Sequence, residues 1–359
     1  MKKLDIYIIR KFLGTFFFAI SLLILIVIVF DISEKIDDFI EKDAPLRAIL
    51  FEYYLNFIPY FVNLFSYLFT FISVVYFTAK MAGQSEVVAI LSSGISFRRF
   101  LFPYVLSAVI LGAMSFYLAN FLIPRTNTRM MAFEKTYLKN PYRNRDVNIH
   151  IQVEPGTFVY METFNTLTNT GYKFSMEKYN PDHQLIYKMD AQKILWDSAA
   201  GKWEIRDWVL RELTNDREQL TRGAELDTIL NMHPSEFTFI LEDMKTMNYT
   251  ELRQFINKEK LKGSKRIREY EVEKHRRIAD PFATIILTLI GVSLSSRKVR
   301  GGIGMHLGLG LTITFSYILF QQISTVFATR GGLEPWMAVW IPNALFSVIA
   351  VFLIRLAPK

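Results

Sequence analysis

The residue types that carry most enzyme chemistry are scarce in this sequence. It has no cysteine and five histidines, none of them in a His-Glu-x-x-His pattern, so neither a thiolate site nor a zinc site is predicted. No Gly-x-x-x-x-Gly-Lys-Ser/Thr loop is present to bind nucleotide phosphates. We therefore expect a protein that is not an enzyme and holds no metal or cofactor; any ATP and Mg²⁺ would be used by a separate chain.

One short segment has the composition of a docking element. Ser85 and Glu86 precede apolar residues at helical spacing, among them Val87 and Ile90, and Gly94 follows. Ser85 is predicted to cap this helix, and Gly94 to end it in the left-handed conformation. A short amphipathic helix with one acid at its beginning suits contact with a partner protein, but its apolar face would also suit lipid headgroups.

Three cations and a pair of glycines are further candidates. Lys35, Arg125 and Arg129 follow long apolar blocks, where they suit either the phosphates of a lipid headgroup or ordinary anchoring at a membrane surface. Gly304-x-x-x-Gly308 forms a small-residue face that suits packing, either within the chain or against another subunit.

Polar residues inside the apolar blocks are costly and often functional. Asp280 is the only acid at such depth apart from Asp31 and Glu52, which lie at block ends. A secondary transporter would need several buried ionisable groups, so the sequence argues against one. Neutral amides are expected to form hydrogen bonds between helices. They are Asn56, Asn63, Asn120, Gln321, Gln322 and Asn343.

Six apolar blocks must position these residues. The chain has 359 residues, 51% of them hydrophobic, and its apolar residues are concentrated in long runs. A helix needs about 20 apolar residues to cross a hydrocarbon core of about 30 Å. Six runs approach or exceed that length: residues 12–30, 53–79, 100–124, 281–296, 301–329 and 335–354. The sequence therefore predicts an α-helical membrane protein with six transmembrane helices.

In a membrane protein the positions of Lys and Arg indicate topology, so the net charge of +8 is not taken as a sign of nucleic-acid binding. No nucleic-acid partner is expected. The connections on one side of the blocks hold Lys2, Lys3, Arg10, Lys11, Lys80, Arg98, Arg99, Arg297, Lys298, Arg300, Arg355 and Lys359. Those on the other side hold only Lys35, Lys42, Arg47 and Arg330. The positive-inside rule then predicts that both termini are cytoplasmic and that the segment after the third block is outside, which is the periplasm in a bacterium.

That outer segment has the pattern of short β-strands. Residues 147–153 alternate between apolar and polar, Pro155-Gly156 marks a turn, and residues 158–160 resume the strand pattern. A second hairpin pairs residues 194–196 with 203–205, and further runs lie at 172–179, 207–213 and 236–241. The expected fold is an all-β sandwich or open jelly roll.

These patterns divide the chain into four parts. Residues 1–124 hold helices 1–3 with the short cytoplasmic helix at about 83–96, and residues 125–249 form the β-domain. A charged helix over 250–277 returns the chain to the membrane, and residues 278–359 hold helices 4–6.

The layout resembles the lipopolysaccharide-export permeases of the LptF/LptG type. That family has three spans, a periplasmic β-jelly-roll domain and three more spans, and the resemblance covers essentially the whole chain. Ser85-Glu86 through Gly94-Ile-Ser96 is similar to the coupling helix of the family. Other similar segments are Leu4-Asp5-x-Tyr7-Ile8, His275 through Pro281, Arg300-Gly301-Gly302, Leu333-Glu-Pro335 and Trp340-Ile-Pro342-Asn343.

The resemblance implies a non-catalytic permease subunit of an ABC exporter in the inner membrane. Its partners would be a cytoplasmic ATPase dimer (LptB-like), a second permease of the family, a single-span bridge protein (LptC-like), a periplasmic jelly-roll carrier (LptA-like) and lipopolysaccharide. Glu86 would be the acid that contacts the ATPase. Several segments favour the G type, but this chain has Asp31 where that type tends to have a basic residue, with Lys35 one turn later.

A rival reading is a six-span membrane sensor or scaffold whose outer β-domain binds a ligand or a protein. It would predict a cytoplasmic signalling domain, whereas the last apolar block ends close to the last residue of the sequence. An ABC permease used for mechanical signalling is disfavoured by the span count.

Overall fold

The computed structural model describes most of the chain, which divides into two compact units. The membrane unit comprises Met1–Leu138, Lys245–Tyr249 and Arg268–Lys359, and the β-unit comprises Lys139–Met244 and Thr250–Ile267. The described residues are 3–138, 147–214, 217–234, 237, 241–264, 266–299 and 302–357. Lys2, Arg300, Gly301 and Lys359, used above for topology or resemblance, lie outside them.

Six of the described helices are long and apolar enough to cross a membrane, as predicted. The helices in chain order are α1 (Lys3–Glu41), α2 (Leu46–Gly83), α3 (Glu86–Ser92), α4 (Phe97–Tyr137), α5 (Tyr249–Leu261), α6 (Ile267–Ser295), α7 (Gly302–Arg330) and α8 (Pro335–Leu356). Only α3 and α5 in this set are not candidate spans.

Three membrane helices are longer than a bilayer requires. α1, α2 and α4 have 39, 38 and 41 residues, which corresponds to about 57 to 62 Å at 1.5 Å per residue. Their extended parts share an aromatic cluster, in which the rings of Tyr53 and Phe133 lie 5.3 Å apart and Phe39 packs against both. The boundary set at residue 125 therefore lies inside α4, because aromatic packing continues the helix beyond its apolar block.

Two π-helical turns interrupt these long helices, at Ile49–Tyr54 in α2 and Leu118–Leu122 in α4. A π-turn changes the regular i to i−4 pairing, and unpaired carbonyl groups are costly in a bilayer. The side-chain amide of Asn56 donates to the carbonyl oxygens of Phe51 and Glu52, at 3.0 and 2.8 Å. Asn120 donates to the carbonyl of Phe116 at 2.9 Å in the same way. Both amides thus donate to carbonyl groups of their own helix, so the prediction that they form hydrogen bonds between helices is wrong for these two residues.

The β-unit holds a six-stranded antiparallel sheet that lies between α4 and α6 in the chain, which confirms the predicted fold class. Strands pair in chain order. They are β1 (Val147–Glu154), β2 (Thr157–Asn165), β3 (Thr170–Tyr179), β4 (Leu185–Asp197), β5 (Lys202–Thr214) and β6 (Arg217–Thr228).

The hairpins predicted from the sequence are present in the sheet. Ile194 pairs with Ile205 and Trp196 with Trp203, as expected. Strand β6 was missed because its sequence is polar and its apolar alternation is weak; it is an edge strand, where charged side chains are usual. Of the predicted strand at 236–241, the structure describes only Phe237, in a turn, and Leu241, which begins a 3₁₀ helix.

The charged run predicted as one connecting helix over 250–277 is divided in two. α5 ends at Leu261 and α6 begins at Ile267. Gly263 between them has φ +70, a left-handed conformation that ends helices and that glycine adopts without strain. The second part of the run is therefore the first turns of a membrane helix.

Candidate functional site

Helix α3 is held against the membrane unit by its apolar side. Val87 is fully buried, and Ile90 and Leu91 pack against a core that includes Ile8 and Phe77 of α1 and α2. Because these positions are one helical turn apart, they occupy one face. That face contacts protein, so the helix does not simply rest on lipid headgroups.

The ends of α3 differ in part from expectation. Gly94 has φ +85, which confirms the left-handed ending. Ser85 occupies the N-cap position but has φ +60 and makes no side-chain cap bond, so the predicted Ser85 cap is wrong. The cap nearby belongs to α4, where Ser96 Oγ accepts a hydrogen bond from the backbone N–H of Arg99 at 3.4 Å. A left-handed backbone at Ser85 has the wrong geometry for its hydroxyl to reach the helix amides, since N-caps are usually extended.

Glu86 lies in the first turn of α3 and is half-buried. The hydroxyl of Tyr7, on α1, donates a hydrogen bond to Glu86 Oε2 at 3.2 Å. The predicted coupling acid is therefore held by the beginning of the chain. Sequence spacing gave no sign of this contact, because the two residues are 79 positions apart.

Lys35, a predicted headgroup cation, is already paired. Its Nζ donates to Asp31 Oδ1 at 2.8 Å, one turn earlier on α1, and also to the hydroxyl of Tyr53. The hydroxyl of Tyr54 donates to the other oxygen of Asp31 at 3.0 Å. This network balances the charge of Lys35 within the protein and leaves it less available to an external phosphate.

The two other predicted headgroup cations differ from Lys35. Arg125 and Arg129 are exposed on the C-terminal part of α4, one turn apart. Within the described part of the chain, neither has an acidic side chain in ion-pair distance. Their role in substrate contact stays a prediction, and of the three cations they are the more accessible.

The inner face of the sheet carries a continuous apolar row. Cross-strand pairing aligns one residue from each of five neighbouring strands. They are Ile151, Val159, Met176, Met189 and Leu210. Val159, Met176 and Met189 are buried, whereas the two outer members of the row are half-buried.

One end of this face is closed by the chain that follows β6. The indole N–H of Trp203 donates to the carbonyl of Met232 at 3.0 Å, and the rings of Phe164 and Phe237 lie 4.4 Å apart. Residues that follow β6 therefore cover one end of the apolar face, and the apolar row lies on the rest of that face.

The chain matches a known protein family over nearly its whole length. The family model described as lipopolysaccharide export system permease LptF/LptG matches residues 6–356. The chain belongs to the LptF/LptG family. No curated protein sequence matches it. The family description covers both the F type and the G type, so the assignment of this chain to the G type stays a prediction.

The six candidate spans and the family membership together indicate that this LptF/LptG permease is a multi-pass protein of the inner membrane. Its transmembrane bundle contains a polar network. The carboxylate of Asp280 accepts a hydrogen bond from Gln321 at 3.1 Å and lies 3.4 Å from the Nε of Arg276. Asn343 donates to the carbonyl of Ala279 at 3.2 Å. The network joins α6 to α7 and α8.

The predicted interhelical role of the neutral amides is thus confirmed for Gln321 and Asn343. It is also confirmed for Asn63 on α2, whose Oδ1 accepts a hydrogen bond from Ser115 on α4 at 2.7 Å. Gln322 is exposed, and no hydrogen bond to it is found among the described residues. The amide type alone does not distinguish these cases, because the outcome depends on which helix face each residue occupies.

Near Asp280 the permease has a small, partly open cavity of about 210 Å³. Its lining combines tyrosines of α2 with charged residues of α6: Tyr60, Tyr67, Glu273, Arg276 and Asp280. Asp280 could be singled out from the sequence, but its partner Arg276 was not predicted. The signal was the spacing, since Arg276 precedes Asp280 by four residues and therefore lies on the same face.

Gly304 and Gly308 on α7 face open space. A Cβ atom at either position would have no neighbour of this chain within 4 Å, whereas Gly310 lies against Phe71 and Val75. Packing within the chain therefore uses Gly310. Contact of the Gly304 and Gly308 face with another subunit stays a prediction.

The outer face of the sheet carries paired charges. Lys188 Nζ and the Tyr179 hydroxyl donate hydrogen bonds to Glu177, at 2.9 and 2.8 Å. These bonds favour the charged carboxylate, so they hold the pKa of Glu177 below its ordinary value. Among the described residues, no group of three or more His, Asp or Glu side chains could hold a metal ion.

Proposed function

We propose that this LptF/LptG permease is the transmembrane subunit of an ABC transporter that extracts lipopolysaccharide from the inner membrane. A cytoplasmic ATPase dimer hydrolyses ATP with Mg²⁺, and this chain contributes no catalytic residue. A second permease of the family completes the transmembrane pathway. The β-unit then passes the lipid to a single-span bridge protein and a periplasmic jelly-roll carrier.

The observation that carries this proposal is the geometry of α3 within a family-matched chain. The helix buries Val87 against the bundle and presents Glu86 at its beginning. A rigidly packed short helix can transmit a push from a partner, whereas a helix floating on lipid cannot. Val88, 53% exposed, and Glu86 together provide an apolar and an acidic contact for the ATPase.

The proposed orientation has the α3 side of the membrane in the cytoplasm. Lys80, Arg98 and Arg99 flank α3, and Arg297 and Lys298 follow α6 on the same side of the six-span order. The positive-inside rule assigns such clusters to the cytoplasm. Both termini are then cytoplasmic and the β-unit is periplasmic.

The proposed contacts for lipopolysaccharide acyl chains in the β-unit are Ile151 and Leu210, the half-buried members of the apolar row, because the three residues between them are buried. Acyl chains gain about 25 cal/mol for each Å² of apolar surface removed from water, and a periplasmic route must shelter them from water throughout.

Arg125 and Arg129 are the proposed contacts for headgroup phosphates, since a guanidinium offers paired donors to phosphate. Charge reversal at both that leaves lipopolysaccharide crosslinking unchanged would remove this headgroup role.

The test of the proposed function is Glu86→Ala in the native complex. We expect lipopolysaccharide release to fall at least about tenfold, because a lost interfacial charge contact costs about 2 kcal/mol or more. Ser92→Ala, an exposed change on the same helix, serves as the matched control and should behave as wild type. Full release by the Glu86 variant, in a complex that still contains the ATPase, would contradict the assignment.

A further inference from the structure

The first turns of α1 contact both ends of the cytoplasmic connection that contains α3. Asp5 pairs with Arg99 at the beginning of α4, and Tyr7 bonds to Glu86 at the beginning of α3. Both residues belong to the Leu4-Asp5-x-Tyr7 segment, which the proposed function leaves without a role. We call these two contacts the N-terminal clamp.

The Asp5 contact is a bidentate ion pair whose carboxylate is buried. Arg99 Nη1 and Nη2 donate to Asp5 Oδ1 and Oδ2, each at 2.7 Å. The side chain of Asp5 is 2% exposed, and that of Arg99 is 38% exposed. Paired bonds of this kind fix the relative orientation of the two groups, which a single bond does not. The beginning of α1 is thereby fixed to the first turn of α4.

The Tyr7 contact reaches the proposed coupling acid directly. The Tyr7 ring packs edge-on against Phe77 of α2, with ring centroids 6.3 Å apart, which directs its hydroxyl toward Glu86. The Tyr7 hydroxyl donates its hydrogen bond to Glu86 Oε2 at 3.2 Å. Ser85 gives α3 no side-chain cap, so this bond is an added restraint on the end of the helix that carries the acid.

We infer that Asp5 and Tyr7 are positioning residues that set the orientation of Glu86 toward the ATPase; this inference rests on the proposed function. Asp5 fixes α1 to α4, and Tyr7 then fixes Glu86 to α1. α1 continues without a break from the clamp to Asp31 and Lys35 near its other end. A displacement of α3 by the ATPase is thus passed to a helix that extends across the membrane.

The first experiment replaces Tyr7 with Phe in the native complex, reconstituted in vesicles that contain lipopolysaccharide. ATP hydrolysis and lipopolysaccharide release are measured on the same sample. We expect the lipopolysaccharide released per ATP to fall about two- to tenfold, as for loss of one hydrogen bond of about 0.5 to 1.5 kcal/mol. ATPase content and melting temperature should stay at wild-type values. Tyr76→Phe is the matched control, because the Tyr76 hydroxyl has no hydrogen bond among the described residues.

The second experiment is a double-mutant cycle on the ion pair, with Asp5→Asn, Arg99→Gln and both together. If Asp5 and Arg99 act through each other, each single change lowers the release per ATP and the double change lowers it no further. Additive effects would overturn the pairing, and a wild-type ratio in Tyr7→Phe would overturn the clamp.

The Glu86→Ala variant, measured alongside, distinguishes failure of the proposed Glu86 function from failure of the clamp. Wild-type release by that variant means that the proposed function of Glu86 has failed. Impaired release by Glu86→Ala with a wild-type ratio in Tyr7→Phe means that only the clamp has failed. A Tyr7→Phe complex that loses its ATPase would show an assembly role and would also overturn the inference, since positioning predicts an assembled but poorly coupled complex.

Discussion

Gly291 of α6 is the position where one added methyl group should disturb the bundle most clearly. A Cβ atom there would lie 2.8 Å from Val74 Cγ1, and 3.4 Å from ring and methyl carbons of Phe71 and Val75. Carbon atoms prefer about 3.5 to 4.0 Å, so the Val74 methyl would have to move by nearly 1 Å. All three neighbours are fully buried, and a β-branched side chain in a helix has one preferred rotamer.

The cost is isolated by comparison with Gly14→Ala. Alanine is favoured over glycine in a helix by about 1 kcal/mol, and this gain applies to both replacements. A Cβ at Gly14 would meet nothing within 4 Å. The difference between the two variants therefore reports overpacking, for which we expect about 1 to 3 kcal/mol against Gly291→Ala.

The assay is equilibrium unfolding of each variant in mixed micelles, read by tryptophan fluorescence. Gly291→Ala should be less stable than Gly14→Ala by that amount, and Val74→Ala should relieve the clash. The double variant Gly291→Ala with Val74→Ala is then more stable than the sum of its single changes predicts. Strict additivity, or a Gly291 variant as stable as the Gly14 variant, would refute the close contact of α2 and α6.

Two further changes test the polar groups. Asp280→Ala leaves the Arg276 guanidinium without this carboxylate, so we expect a loss of about 1 to 3 kcal/mol in unfolding free energy, and Asp280→Asn, which keeps the shape and removes the charge, should lose a similar amount; wild-type stability of Asp280→Asn in the same unfolding assay would contradict the pairing. The pKa of Glu177 is lowered in the folded protein, so its bonds to Lys188 stabilise the sheet above the ordinary glutamate pKa and cease to do so as pH falls through the lowered value. Glu177→Gln should therefore increase amide hydrogen exchange in β3 and β4 at pH 7, relative to wild type at the same pH, and the difference should vanish in acid; a difference independent of pH would contradict this.

The sequence was sufficient for the six spans because the hydrocarbon thickness sets a minimum length for each apolar run. It was insufficient for helix ends. α4 continues to Tyr137 because Phe133 packs with Tyr53 and Phe39, residues that are distant in sequence. Hairpins with apolar alternation were predictable, including the pairing of Trp196 with Trp203. The polar edge strand β6 lacks that signal.

The candidate site was predictable in outline and not in its contacts. The spacing of Val87 and Ile90 gave the helix and its buried side. The partner of Glu86 was hidden, because a contact across 79 residues leaves no local pattern. The pairing of Lys35 with Asp31 follows from their four-residue spacing, but the tyrosine hydroxyl groups that complete it are supplied by another helix.

We propose that this permease works with an ATPase to move lipopolysaccharide. The most direct measurement is purification of the tagged chain from native membranes in mild detergent, followed by mass spectrometry of the proteins and lipids that co-elute. We expect an ATP-binding cassette subunit in stoichiometric amount, a second permease and lipid A species. Elution of the intact chain without any ATPase would contradict it, because the exporter would then have no source of energy.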